Sequence, residues 1–220
     1  MSRPSCGLNP FCLSLESHIR ECLCNISSPC TYPPKKNITV KIGKHGYLFL
    51  IVKGVAITLK QRPDGRQIGI DCVGQGNIIG LGNILLEERN DITFYTKTEI
   101  EACCFSTKDF IDLCSKSPEL SIEIIHKLSQ RFSQAVSNIE HHALDNSTEK
   151  ILYRIQKLSY EFMSLQKQVF SFTHEELALL AGMNRVTASR VIDNLKQSGL
   201  IICLGKGKFK INDKTNSNIY

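Results

Sequence analysis

The chain has 220 residues, 42% hydrophobic and 22% charged, with a net charge of +6 and a pI near 8.8. That balance excludes a wholly disordered polyelectrolyte and suits one large domain or two modest ones. The basic surplus permits a polyanionic partner without establishing one. Ten cysteines are present, yet the longest apolar runs, such as Ile84-Leu85-Leu86, are far too short to span a bilayer. Pro4, Asn9 and Pro10 break up any apolar signal core at the N-terminus. A reducing cytoplasm is therefore expected, where cysteines serve as buried thiols, metal ligands or redox sensors more often than as structural disulfides.

Residues 1–36 read as an irregular arm with five cysteines (Cys6, Cys12, Cys22, Cys24, Cys30), a short helix over about 14–21 and no core of its own. Residues 37–116 change to strands. Tyr47–Val52 and Val55–Leu59 are β-rich runs, Arg62-Pro63-Asp64-Gly65 is a turn, and Gln67–Cys72, Phe94–Thr96 and Ile100–Phe105 continue the pattern. Gly74, Gly76, Gly80 and Gly82 punctuate it, as in a small antiparallel barrel or roll. Thr107–Cys114 reads as a short helix, and Pro118 suits the first turn of a long one. Within 117–144, Ile125, Leu128, Phe132, Ala135 and Ile139 step by 3, 4, 3 and 4. That a/d seam fits either a core-facing helix or a parallel dimer.

Residues 145–220 begin with N-caps at Asp145-Asn146-Ser147 and a helix from Thr148 to Met163. After a short strand over Val169–Phe172, Thr173 and Glu176 form a capping box. Leu177, Leu180 and Ala181 follow on an apolar face, Gly182 falls where a tight turn needs positive φ, and Asn184 can cap the next helix. A helix, a glycine turn and a second helix is the helix-turn-helix signature, whose second helix meets base edges through its N-terminal residues. Here those are Arg185, Thr187, Ala188, Ser189 and Arg190. Ile201–Cys203 and Lys208–Ile211 read as a hairpin wing that brings Lys206, Lys208 and Lys210 toward phosphates. Residues 144–220 carry 11 Lys/Arg against 7 Asp/Glu, in keeping with backbone neutralisation. No nucleophile–base constellation or carboxylate pair argues for an enzyme.

From about Tyr47 to Ile211 the sequence resembles the superfamily of the cyclic-AMP receptor protein and the fumarate-nitrate reduction regulator (CRP/FNR). Asp64–Ile68 with Gly74–Gly80 is similar to its sensory roll, the seam helix to its dimerisation helix, and Asn184–Val191 to its recognition helix. The resemblance implies an α+β chain with a cyclic-nucleotide-binding-like β-roll, a dimerisation helix and a winged helix-turn-helix. It implies a homodimeric transcription regulator acting with RNA polymerase. Two departures stand out. Gly80 is followed by Leu81 rather than Glu, and Asp91-Ile92-Thr93 lacks the Arg-Ser/Thr pair, so a cyclic nucleotide's phosphate would lack its charged partner. Val186 stands where the family often has an acidic base-reading residue, so the half-site should differ from that of the namesakes.

Cys22-Leu23-Cys24-Asn25-Ile26-Ser27-Ser28-Pro29-Cys30 resembles the oxygen-sensing branch, whose members hold an iron–sulfur cluster on a C-x2-C-x5-C arm plus one cysteine of the roll. Cys24-x5-Cys30 fits that spacing. The resemblance implies a [4Fe–4S] cluster on Cys22, Cys24, Cys30 and Cys103, with Cys12 as a substitute for Cys22, because Cys22-x-Cys24 has one intervening residue rather than two. A cofactor-free thiol–disulfide switch and a small-molecule effector are the alternatives. Cys72, Cys104, Cys114 and Cys203 are expected to be buried hydrophobes, and His45, His141 and His142 to be solvated or near helix ends.

Overall fold

A computed structural model of the protein describes residues 9–42, 45–83, 92–163, 170–205 and 208–211. They group into two compact units, Met1–Thr58 with Val73–Ala135 and Leu59–Cys72 with Val136–Tyr220.

Strand alternation builds the first unit. β4 (His45–Lys53) pairs antiparallel with β9 (Ile100–Ser106), from Tyr47↔Ser106 to Lys53↔Glu101, with an irregularity between Ile51 and Lys53. Leu48, Leu50 and Val52 of β4 turn to one face with Cys103 and Phe105 of β9. Phe49 and Ile51 turn to the other, with Ala102. β1 (Ser28–Tyr32) lies on the far side of β9, and β3 (Lys41–Ile42) and β7 (Ile78–Ile79) pair with β4. A second sheet runs β2 (Asn37–Ile38), β8 (Ile92–Thr96), β5 (Ala56–Gln61), β6 (Gln67–Val73).

The N-terminal arm differs from its expectation. It forms α1 (Pro10–Leu13) and α2 (Ser17–Ile26), and Phe11, Leu15, Ile19 and Leu23 are buried against Leu48, Leu50 and Phe105. Burial of large apolar side chains stabilises by about 1.5–3 kcal/mol each, so packing orders the arm. Asn9 anchors it: its side-chain oxygen accepts from the Phe11 amide (3.0 Å) and its amide donates to the Ile51 carbonyl (2.8 Å).

α3 (Thr107–Lys116) starts at the Ser106 N-cap, directly after β9. α4 (Pro118–Leu144) is the long helix. In the second unit, α5 (Ser147–Met163), α6 (His174–Ala181) and α7 (Arg185–Gln197) pack beside a small sheet of β10 (Phe170–Ser171), β12 (Lys208–Ile211) and β11 (Ile201–Cys203). The order is thus the expected α+β one: roll, long helix, winged helix-turn-helix. No described helix is long and apolar enough to cross a membrane.

Candidate nucleic-acid interface and thiol pair

Local chemistry positions α6 and α7. The Thr173 hydroxyl accepts from the Glu176 amide (3.1 Å) while the Glu176 carboxylate accepts from the Thr173 amide (2.7 Å), so the capping box is complete. Gly182 ends α6 at φ 63°, ψ 37°. A Cβ there would strike the His142 ring, so glycine is required by conformation and by space. Asn184 then caps α7 through the Thr187 amide (2.8 Å). Ala188, Val191, Ile192 and Leu195 bury one face of α7. The opposite face leaves Arg185, Val186 and Arg190 exposed, with Thr187 and Ser189 half-buried. Ser189 has a partner that sequence reasoning missed: its hydroxyl lies 2.9 Å from His174 Nδ1, which fixes the side chain beside the outward face. Lys206 lies outside the described residues, and Lys208 is placed only as part of β12.

The seam on α4 is exposed. Ile125 (61%), Phe132 (72%) and Ile139 (66%) point outward, as do Leu128 and Ala135. Ile122 (66%) and Val136 (49%) join them and widen the stripe beyond the expected a/d positions.

Beneath the helix-turn-helix lies a buried polar network that the sequence did not announce. Asn138 is its hub. Its side-chain oxygen accepts from the Tyr153 hydroxyl (2.9 Å), Arg154 Nη1 (3.1 Å) and Lys157 Nζ (3.2 Å), and its amide donates to the Ile70 carbonyl (3.3 Å). Arg154, 3% exposed, also donates to His142 Nε2 (3.0 Å), and Lys157 pairs with Asp71 (3.2 Å). His141 stacks on Tyr153 at 3.7 Å and meets Asp145 at 2.6 Å. Both histidines lie in the last turn of α4, as expected, and are engaged in these contacts. Burial, with Arg154 and Lys150 nearby, holds His142 below the ordinary histidine pKa. The His45 side chain lies outside the described residues.

The cysteines are arranged differently from the expected ligand set. Cys22 is exposed within α2, and Cys24 and Cys30 are half-buried. Cys103 is 3% exposed in the core with Leu48 and Leu50, while Cys30 lies on the other face of the sheet. The register explains it: Cys30 pairs with Ala102 and Pro29 with Cys103, and neighbouring residues of a strand point to opposite faces. Among the described residues, no three His, Cys, Asp or Glu side chains gather to hold a metal ion. The set Cys22, Cys24, Cys30, Cys103 does not fit an iron–sulfur cluster in this arrangement. What the fold does bring together is Cys30 and Cys104, on one face of adjacent strands and near enough to shift each other's pKa. Cys104 and burial push the Cys30 thiol up, and Cys30 holds Cys104 down. Cys104 is thus more than a buried hydrophobe. Cys72 is fully buried, which raises its pKa, Cys114 is half-buried, and the Cys203 side chain lies outside the described residues.

Comparison with known proteins accords with both halves. Residues 31–117 match the cyclic nucleotide-binding domain and residues 150–216 the Crp-like helix-turn-helix domain. The chain is 22% identical over 182 residues to the cyclic AMP receptor protein of Thermus thermophilus, spanning 83% of this chain and 82% of that one. It is 25% identical over 181 residues to the cAMP-activated global transcriptional regulator of Salmonella typhimurium, covering 80% and 85% of the two chains. The structure of the c-di-GMP-responsive global regulator CLP of Xanthomonas campestris superposes with a TM-score of 0.74 at 22% identity, over 89% of this chain and 99% of that one.

Proposed function

Because the chain belongs to the CRP/FNR family of transcription regulators, we propose that it is a cytoplasmic homodimer that binds DNA and answers to oxygen or redox state through cysteines of its N-terminal half. It is a regulator that works with RNA polymerase, not an enzyme. The observation that carries this reading is the exposed N-terminal half of α7, where Arg185 and Arg190 flank Val186 on a capped helix. An arginine there can take guanine O6 and N7 bidentately or hold a phosphate. Val186, 70% exposed, offers a methyl surface suited to thymine and no acceptor for cytosine N4. The half-site therefore departs from one read by a carboxylate. The exposed α4 stripe supplies the partner-facing surface for the dimer.

Cyclic-nucleotide control is disfavoured by Leu81. This half-buried side chain packs against the apolar core, at the position where a phosphate site needs charge. Redox control rests on the cysteine-rich arm and on the thiol pair it shares with β9. An iron–sulfur cluster is a second reading, favoured by the Cys24-x5-Cys30 spacing, with Cys104 rather than Cys103 facing Cys30. Anaerobic iron and acid-labile sulfide analysis separates the two: a colourless, iron-free protein that still changes its DNA affinity on oxidation excludes the cluster.

The DNA assignment is tested at Arg190. With an operator obtained by in vitro selection, Arg190→Ala should lose about 1–3 kcal/mol of specific binding and relax preference at one base position. Unchanged affinity and preference would remove Arg190 from the interface.

A further inference from the structure

We propose that Cys30 and Cys104 are a redox-active thiol pair that a hydroperoxide closes to an intramolecular disulfide. The proposal rests on the redox reading above and names its site.

Three features of the fold single out this pair. The two residues sit on adjacent antiparallel strands and on the same face, because Cys30 pairs with Ala102 and Ser28 with Cys104. The two thiols are near enough for each to shift the other's pKa, and Cys30 Sγ donates to the Ala102 carbonyl oxygen at 3.5 Å. Both are half-buried, so a small oxidant can reach them, whereas Cys12, Cys72 and Cys103 are buried. Tyr32 and Phe49, edge to face at 5.7 Å, belong to the same face of the sheet.

The chemistry balances without a metal. One member, as thiolate, attacks the O–O bond of a hydroperoxide. An S–O bond forms, the O–O bond breaks, and the departing oxygen takes up a proton to leave as alcohol or water. The second sulfur then attacks the first: S–S forms, S–O breaks, and the hydroxyl leaves as water with the second proton. Each sulfur loses one electron and the peroxide gains two. Thiol reductants reverse the step by exchange.

Closure has a mechanical consequence. Diagonal residues of an antiparallel pair have Cα atoms about 7–8 Å apart, while disulfides hold them at about 4.4–6.8 Å. On that spacing, closure draws β1 along β9. β1 is joined to α2, which packs in the core, and Cys104 lies two residues before Ser106, the N-cap of α3. The shift acts on the segment that leads into α4.

The experiment uses the full chain, reduced under anaerobic conditions and then titrated with hydrogen peroxide. Free thiols are counted, non-reduced tryptic peptides are mapped by mass spectrometry, and DNA affinity is followed in parallel. Loss of two thiols is expected, with peptides joined through Cys30 and Cys104 and full recovery with dithiothreitol. Fragmentation must place the bond on Cys104 rather than Cys103, and on Cys30 rather than Cys22 or Cys24. Cys103→Ala should retain the link and Cys104→Ser should abolish it, while circular dichroism reports that each variant is folded. The wild-type map decides the matter if a variant fails to fold. A link between other cysteines, or no loss of thiols, overturns the proposal, even if DNA affinity still responds to peroxide. So does anaerobic protein that holds iron and sulfide with both thiols unreactive. A Cys30–Cys104 link that leaves DNA affinity unchanged supports the site and sinks redox control instead.

Discussion

Replacing Phe132 by Glu should convert the protein to monomers and lower its affinity for a two-half-site operator by about 10²–10⁴-fold, the range over which avidity is gained or lost. Phe132 is 72% exposed at the centre of a stripe that also shows Ile122, Ile125, Val136 and Ile139. An aromatic ring facing water amid four β-branched side chains buries little of its surface in its own unit. Against a second copy it would bury, and burial of a large side chain is worth about 1.5–3 kcal/mol. A carboxylate in the same place would be desolvated without a cationic partner, and in a symmetric parallel pair it would meet its own copy. The fold should survive, because most of the side chain is outside the core. Sedimentation velocity and circular dichroism check both halves: half the mass with an unchanged spectrum is expected, and a dimer that persists at micromolar concentration would move the interface elsewhere.

The second large effect is expected at Asn138. Asn138→Leu removes the acceptor shared by Tyr153, Arg154 and Lys157 and the donor to Ile70, in a site where Arg154 is 3% exposed. Two cations then lose their common oxygen. Arg154 then keeps the Ile70 carbonyl, His142 and the charge of Asp71, but not its acceptor on Asn138. Each buried donor left without its acceptor costs about 1–3 kcal/mol, more for a charged one, and three donors lose one here, which exceeds what one added leucine can regain by burial. Asn138→Asp should cost less, since it keeps an oxygen against both cations and loses only the amide. Equal thermal denaturation of Asn138→Leu and the parent would refute the hub.

Acid should weaken the same network. His142 accepts from Arg154 through Nε2, and its pKa lies below the ordinary 6.5 because of burial and of Arg154 and Lys150. The folded state therefore binds fewer protons than the unfolded one. Its contribution is complete above about pH 6.5 and is lost as pH falls toward the depressed value. A His142→Gln variant should show a flatter dependence of melting temperature on pH between 7 and 5. An identical slope would remove His142 as its source.

The parts of this molecule that were legible in the sequence are those set by local chemistry. Thr173 and Glu176, Gly182 and Asn184 each act within a few residues, so their order along the chain marked α6, the turn and α7. The apolar stripe on α4 was legible for the same reason, since its spacing lies within one helix. Ile122 and Val136 fell outside the strict heptad and were missed. What was not legible depends on distant pairing. Whether Cys103 or Cys104 faces Cys30 is a matter of one residue of strand phase, and only the β1–β9 register decides it. The arm looked coreless because the partners of Phe11, Ile19 and Leu23 come from β4 and β9. Arg154 occurs among Ile151, Ile155 and Leu158 like any interrupting cation, and its partners Ile70 and Asn138 lie far away in the chain.

The central claim is that two copies of α7, set by the α4 seam, read a two-fold DNA site. In vitro selection from a randomised duplex library, followed by sedimentation of the selected complex, tests it most directly. The expected result is two inverted half-sites about 34–36 Å, or roughly 10–10.5 base pairs, apart, with one dimer per duplex. Enrichment of no motif, or of a single half-site carrying one chain, would contradict it.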